Sequence, residues 1–147
     1  MYKCILVATD GSELSNKAVS DAIDLAASLK AELIALKVVP RYPQSYFEGS
    51  IPLSAQDVAR VEQQWTDEGH GVVEAVKQAG ADRGIEVKPV IARSDVVSDA
   101  VIAAAQKHKA DLIVMASHGR KGVKRLLLGS ETQQVLTHSE IPVLVLR

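Results

Sequence analysis

Four stretches of the chain are apolar without alternation: "CILVAT" (4–9), "ELIALKVV" (32–39), "DLIVMAS" (111–117) and "PVLVLR" (142–147). Continuous apolar runs of this length predict strands covered on both faces, as in a parallel sheet. A fifth run, "IEVKPVIA" (85–92), contains Pro89, which removes a ladder donor and predicts an edge strand or a bulge. Between the runs the period changes. Leu14, Ala18, Ala22, Leu25, Ala26 and Leu29 fall on one stripe, and Val97, Val101, Ala104, Ala105 and His108 on another, both at the spacing of an amphipathic helix. A longer helical segment is expected from about 54 to 83. Its pattern splits into Val58, Val61 and Trp65, then Val72, Val76 and Ala79, and the intervening "EGHG" predicts a kink at Gly69 and Gly71. Trp65 shares the spacing of its apolar neighbours, which predicts packing rather than a cofactor stack.

Strands alternating with helices predict right-handed crossovers and a parallel sheet covered on both sides, a doubly wound α/β fold. At 147 residues the chain has the size of one domain, expected to span 1–147. Ligands of such sheets bind beyond the carboxyl ends of the strands, where strand order reverses. The informative loops therefore follow residues 9, 39, 92 and 117. The longest linker, "VPRYPQSYFEGSIPLS" (39–54), holds most of the chain's aromatic side chains, and a lid or an interface competes there with simple connection.

Composition narrows the function classes. The core must be built from aliphatic side chains, because aromatics make up 3% of the sequence. A formal net charge of −1 argues against a protein that coats nucleic acid or an anionic membrane, so any anion site is local. The single cysteine, Cys4, lies in an apolar run and is expected to be a buried small hydrophobe, with no intrachain disulfide and no thiolate metal cluster. The apolar run before Asp10 is too short for a secretory segment or a membrane span, and a cytoplasmic location is expected.

Two loops carry candidate chemistry. In "ATDGSELS" (8–15), Asp10 sits just past a buried strand, where a carboxylate can ligate Mg²⁺ beside a phosphate or accept a ribose hydroxyl. Capping of the next helix by Asp10 or Ser12 is the competing reading. In "ASHGRKGVKRLLLGSET" (116–132), Gly119 permits a turn whose N–H groups face an anion, and "GSET" (129–132) reads as a helix start with Ser130 as N-cap. A helix N-terminus supplies unpaired N–H groups and a positive dipole end, the physical basis of phosphate binding. Arg120, Lys121, Lys124 and Arg125 lie between the two turns, and "LLL" (126–128) is expected to anchor the arm.

Walker A, G-x-G-x-x-G and G-x-S-x-G are absent, and the histidines at 70, 108, 118 and 138 have no metal spacing. What the two loops do resemble, together with "ADLIVMASHGR", "LLLGSETQQVLTHS" and "IPVLVLR", is the universal stress protein family, over essentially the whole chain. The family's nucleotide motif is G, two residues, G, nine residues, G, then Ser or Thr. Gly119 and Gly129-Ser130 match it; Ala116 stands at the first glycine position, and Gly122 falls inside the spacer.

The resemblance implies a five-stranded sheet in the order 3-2-1-4-5 with a Rossmann-like, adenine nucleotide alpha hydrolase-like fold. It implies an adenine nucleotide, ATP or its AMP and ADP relatives, with Mg²⁺ carried alongside. By position, Asp10 would be the ribose or metal contact, Ala8 and Thr9 would flank adenine, and Val38 would reach adenine through its backbone. Met115 and Ala116 would lie near the ribose, and His118, Gly119 and Arg120 near the phosphates. Gly129, Ser130, Glu131 and Thr132 would present N–H and hydroxyl groups to them. It also implies a homodimer through the last strand (142–147); neither nucleic acid nor membrane is expected as a partner, given the net charge of −1.

The function implied is that of a cytoplasmic stress-response sensor or regulatory module. Two other readings stay open: a dimeric interaction or chaperone-like scaffold that needs no nucleotide, favoured by Ala116, and slow ATP hydrolysis or autophosphorylation at a residue such as Ser130. Against the latter, no convincing general base stands in the sequence.

Overall fold

The computed structural model describes residues 1–42, 54–118 and 128–147. Five strands form one parallel sheet: β1 (Cys4–Ala8), β2 (Glu32–Val39), β3 (Val87–Arg93), β4 (Leu112–Ala116) and β5 (Val143–Leu146). Its order is β3-β2-β1-β4-β5, so the Pro89 strand is an edge, with Pro89 beside Ala35. The helices are α1 (Glu13–Leu29), α2 (Ala55–Ala81), α3 (Val97–Lys107) and α4 (Ser130–His138).

The strand pleat sends neighbouring residues to opposite faces, and each face has its own core. On one side Ile5, Val7, Leu33, Ala35, Leu112 and Val114 meet Val19, Ala22, Ile23 and Ala26 of α1 and Val73 and Val76 of α2. On the other, Cys4, Leu6, Ile34, Leu36, Val38, Ile113 and Met115 meet Ala100, Val101, Ala104 and Ala105 of α3 and Val135 of α4. Small alanines on α1 and α3 let the helices approach a sheet made of larger aliphatic side chains.

Three helical expectations are corrected. α2 runs unbroken through "EGHG", because Gly69 faces the sheet: a Cβ there would stand 2.8 Å from Val39 Cγ1. Its buried positions are Gly69, Val73, Val76 and Gly80, while Val72 and Ala79 flank them half-buried. On α1 the buried stripe is Ser15, Ala18, Val19, Ala22, Ile23 and Ala26, and Leu14, Leu25 and Leu29 cover its margins. His108 is the C-cap of α3 rather than a member of its stripe.

The amino ends of the strands are closed by short polar links. Asp111 accepts the N–H groups of Lys3 (2.9 Å) and Cys4 (3.1 Å), and its own N–H donates to the Cys4 carbonyl (2.8 Å). Partial burial would raise the Asp111 carboxyl, but the Lys3 and Cys4 N–H groups overcome it and hold the group below its ordinary value. Arg83, just past α2, donates to Asp24 (2.7 Å) and to the Ser20 hydroxyl (2.9 Å) of α1. Cys4 is buried as expected; burial, reinforced by Glu32 and Asp111, pushes its thiol up.

At the far edge, β5 has four residues and leaves Leu144 39% exposed, with Leu136 of α4 at 40%. None of the described helices is long and apolar enough to cross a membrane.

Candidate functional site

The sheet changes direction of growth at β1, which pairs with β2 on one side and β4 on the other. The crevice beyond the carboxyl ends of β1 and β4 is thus the topological switch point, where doubly wound folds bind ligands.

β1 leaves the sheet through half-buried Ala8 and buried Thr9, whose N–H donates to the Leu36 carbonyl of β2 (2.9 Å). The Thr9 hydroxyl is hydrogen-bonded to the Ser15 hydroxyl at 2.5 Å and accepts the Gly11 N–H at 3.2 Å. Ser15 also accepts the Asp10 N–H (3.1 Å). Gly11 has φ +80°, a value that favours glycine, and the turn brings the Ser12 N–H to Asp10 Oδ1 at 2.9 Å. Ser12, not Asp10, caps α1, accepting the Ser15 N–H at 3.3 Å. Of the two sequence readings of this loop, capping is met by Ser12, while a local N–H orients the Asp10 carboxylate.

β4 leaves through Met115, Ala116 and Ser117. The Ser117 N–H donates to the Leu146 carbonyl (2.7 Å), and its hydroxyl lies 3.1 Å from His118 Nδ1. The start of α4 is fastened to this exit: the Gly129 N–H donates to the Ser117 carbonyl at 2.7 Å and the Thr132 hydroxyl to the Ala116 carbonyl at 2.9 Å. A Cβ on Gly129 would lie 3.1 Å from His118 Cα, so a side chain at the cap position would press on His118. This corrects the expected N-cap. Gly129 (φ −58°, ψ 148°) is the cap, Ser130 is the first helical residue, and no side chain caps α4. Glu131 turns away to α3, where its Oε2 accepts the Ser98 N–H at 3.1 Å.

Chemically, the arrangement pairs a fixed carboxylate at the end of β1 with an uncapped helix N-terminus at the end of the adjacent strand. Such a helix end attracts anions through its unpaired N–H groups and its dipole. Gly119, Arg120, Lys121, Lys124 and Arg125 lie outside the described residues. Among the described residues no cluster of three His, Cys, Asp or Glu side chains is placed to hold a metal ion.

The sequence profile of the Universal stress protein family matches residues 1–147. The chain belongs to the universal stress protein family. Universal stress protein MJ0531 of Methanocaldococcus jannaschii is 33% identical over 149 residues, covering 100% of this chain and 83% of that protein. Among solved universal stress protein structures, that of hypothetical protein MJ0577 from the same organism superposes with a TM-score of 0.81 at 28% identity, covering 99% of this chain and 96% of the other. A universal stress protein crystallised in complex with cAMP superposes at 0.73, again with 28% identity, covering 99% and 97%.

This universal stress protein has a third group at the carboxyl ends, which the hydrophobic pattern did not announce. Arg93, the last residue of β3, pairs with Glu62 of α2 at 2.8 Å, donates to the Glu62 carbonyl at 3.2 Å and bonds the Thr66 hydroxyl. Glu62 also accepts the Tyr42 N–H (3.2 Å), just after β2. The Arg93 hydrogen bond, helped by Tyr42, holds the Glu62 carboxyl below its ordinary value. The Trp65 ring stacks on Tyr42 with centroids 6.2 Å apart and planes 18° from parallel. Trp65 is half-buried and does pack rather than stand free. The signal in the sequence was the pair Glu62 and Thr66, four residues apart on one face of α2, opposite a cation at a strand end. Beyond Tyr42, the linker at 43–53 lies outside the described residues.

Proposed function

We propose that this universal stress protein binds an adenine nucleotide, ATP first, across the carboxyl ends of β1, β2 and β4, and acts as a cytoplasmic regulatory sensor. The observation that carries the reading is the uncapped α4 N-terminus, fastened to Ala116 and Ser117 beside the Asp10 loop at the switch point. The 28%-identical relative solved with cAMP supports an adenine nucleotide as the ligand class.

In this reading Ala8, Thr9 and the backbone of Val38 flank the base. Asp10, Met115 and Ala116 lie along the ribose, and His118, Gly119, Arg120 and the Gly129–Thr132 turn surround the phosphates. The Ser130 and Glu131 N–H groups do most of the anion binding, since the Gly129 N–H and Thr132 hydroxyl already serve carbonyls at the exit of β4. One carboxylate suits Mg²⁺ held mainly by phosphate oxygens, because that ion keeps its waters and takes few protein ligands. Asp10 is the residue that would hold it, and the ion would offset phosphate charge.

Mass spectrometry of small molecules released from freshly purified protein should find an adenine nucleotide. Mg-ATP at about 100 times Kd should raise Tm by roughly 5–10 °C. Absence of both would remove the nucleotide reading.

The exposed apolar edge at β5, with Leu144 and Leu136, supports a homodimer formed by strand pairing across 142–147. Leu144→Lys should convert a sedimenting dimer to monomer; wild-type monomer at micromolar concentration would oppose it.

A second reading, a dimeric scaffold without nucleotide, is favoured by Ala116, whose methyl group stands where the motif has glycine. An empty cleft in crystals soaked with ATP would support it.

A further inference from the structure

Glu131 has a role that the nucleotide motif does not assign. α3 begins after Val96, an extended residue (φ −118°, ψ 101°) with no side-chain acceptor, yet Ser98 in its first turn is 3% exposed. A buried N–H there needs a partner from elsewhere in the fold. Glu131 supplies it from 33 residues away, through a part-buried bond of 3.1 Å. The same carboxylate belongs to the first turn of α4, so one negative charge serves the positive ends of two helices.

We infer that Glu131 is a positioning residue, the link that sets the angle at which the α4 N-terminus meets the strand ends. The Gly129 and Thr132 bonds both run to consecutive carbonyls, those of Ser117 and Ala116. These two attachments hold the face of the first turn that meets β4, and Val135 holds the next turn in the core. Glu131 holds the side toward α3. The inference rests on the nucleotide reading for its consequence, because the N–H groups held at this angle are those assigned to the phosphates. It differs from simple capping of α3, in which Glu131 would stabilise α3 and leave α4 where it is.

The test compares wild type, Glu131→Ala, Glu131→Gln and the double variant Val96→Asp with Glu131→Ala. Val96 is 48% exposed, and an aspartate there gives α3 an N-cap of its own. Calorimetry would be run with Mg-ATP and with adenosine, and amide exchange without ligand.

Glu131→Ala should weaken ATP about three- to tenfold and adenosine by less than about twofold, since only phosphates meet the displaced turn. Glu131→Gln, which keeps an acceptor for the Ser98 N–H, should restore most of the ATP affinity. The double variant should recover exchange protection at Ser98 but not ATP affinity. In Glu131→Ala without ligand, exchange should quicken at Gly129 and Gln133 as well as at Ser98.

Equal losses for ATP and adenosine, recovery of ATP affinity by Val96→Asp, or unchanged exchange at Gly129 and Gln133 would each overturn the assignment. Wild-type protein that bound neither ligand would sink the nucleotide reading alone, and exchange at Gly129 and Gln133 would still decide the role of Glu131.

Discussion

The two ends of the sheet use the same strands and opposite polar designs. At the amino ends, the Lys3 and Cys4 N–H groups meet the Asp111 carboxylate, and Arg83 meets Asp24 and Ser20, so donors and acceptors close on each other. At the carboxyl ends, the bonds among Thr9, Ser15, Ala116, Ser117 and Thr132 fix backbone in place while the first turn of α4 keeps no side-chain cap. The lesson is a division of labour: one end is satisfied internally and stabilises, the other is rigid but keeps donor capacity for a ligand.

Changes at the amino end should alter stability without touching nucleotide affinity, and changes at the carboxyl end should do the reverse. The largest effect is expected from Gly80→Ala. Its Cβ would stand 2.3 Å from Val87 Cγ2, a side chain 2% exposed, and 3.2 Å from the Ile85 carbonyl. Such overpacking costs about 2–3 kcal/mol, or a fall in Tm of about 5–10 °C by calorimetry, with the Kd for Mg-ATP unchanged.

Asp111→Ala should follow, with about 1–2 kcal/mol lost in urea unfolding as the Lys3 and Cys4 N–H groups lose their acceptor. Because the folded pKa of Asp111 is depressed, its contribution is present above the unfolded value of 3.8 and disappears as pH falls through the folded pKa. The gap between wild type and variant should therefore be full at pH 6 and narrow below about pH 4. A gap that widened in acid would contradict this account.

Gly129→Ala should have the smallest effect on stability, less than about 1 kcal/mol, because φ −58° and ψ 148° suit alanine. Its methyl group must nonetheless move His118 or the α4 turn by a few tenths of an ångström. Mg-ATP affinity should fall about fivefold while Tm barely changes. Loss of stability with affinity intact would erase the contrast between the two ends.

The three central strands were legible because burial on both faces leaves uninterrupted apolar runs: "ELIALKVV" corresponds to β2 residue for residue, and Pro89 marked the edge. Helix faces were read less well. Small residues hide the stripe, so Ser15 and Gly69 turn inward while Leu14, Leu25 and Leu29 sit at margins. Helix ends were obscured too, since α1 stops at Lys30 in the left-handed region (φ 54°) without a glycine.

At the candidate site, Asp10 was singled out by its position after a strand and the Gly129 turn by the helix-start pattern "GSET", one residue off in its cap. The long-range contacts at the carboxyl ends were not. Ser117, the Ser98–Glu131 bond and the Arg93–Glu62–Tyr42 group join residues far apart in sequence, and no local period encodes them.

The stacked Tyr42–Trp65 pair also makes the protein its own optical probe. The chain has a single tryptophan, so its emission originates at one place, on α2 beside the exit of β2. Tyr42 lies within efficient energy-transfer range of that indole at 6.2 Å. A change in that emission thus reports a change in the surroundings of Trp65, the Tyr42 ring among them, in real time and with no attached dye.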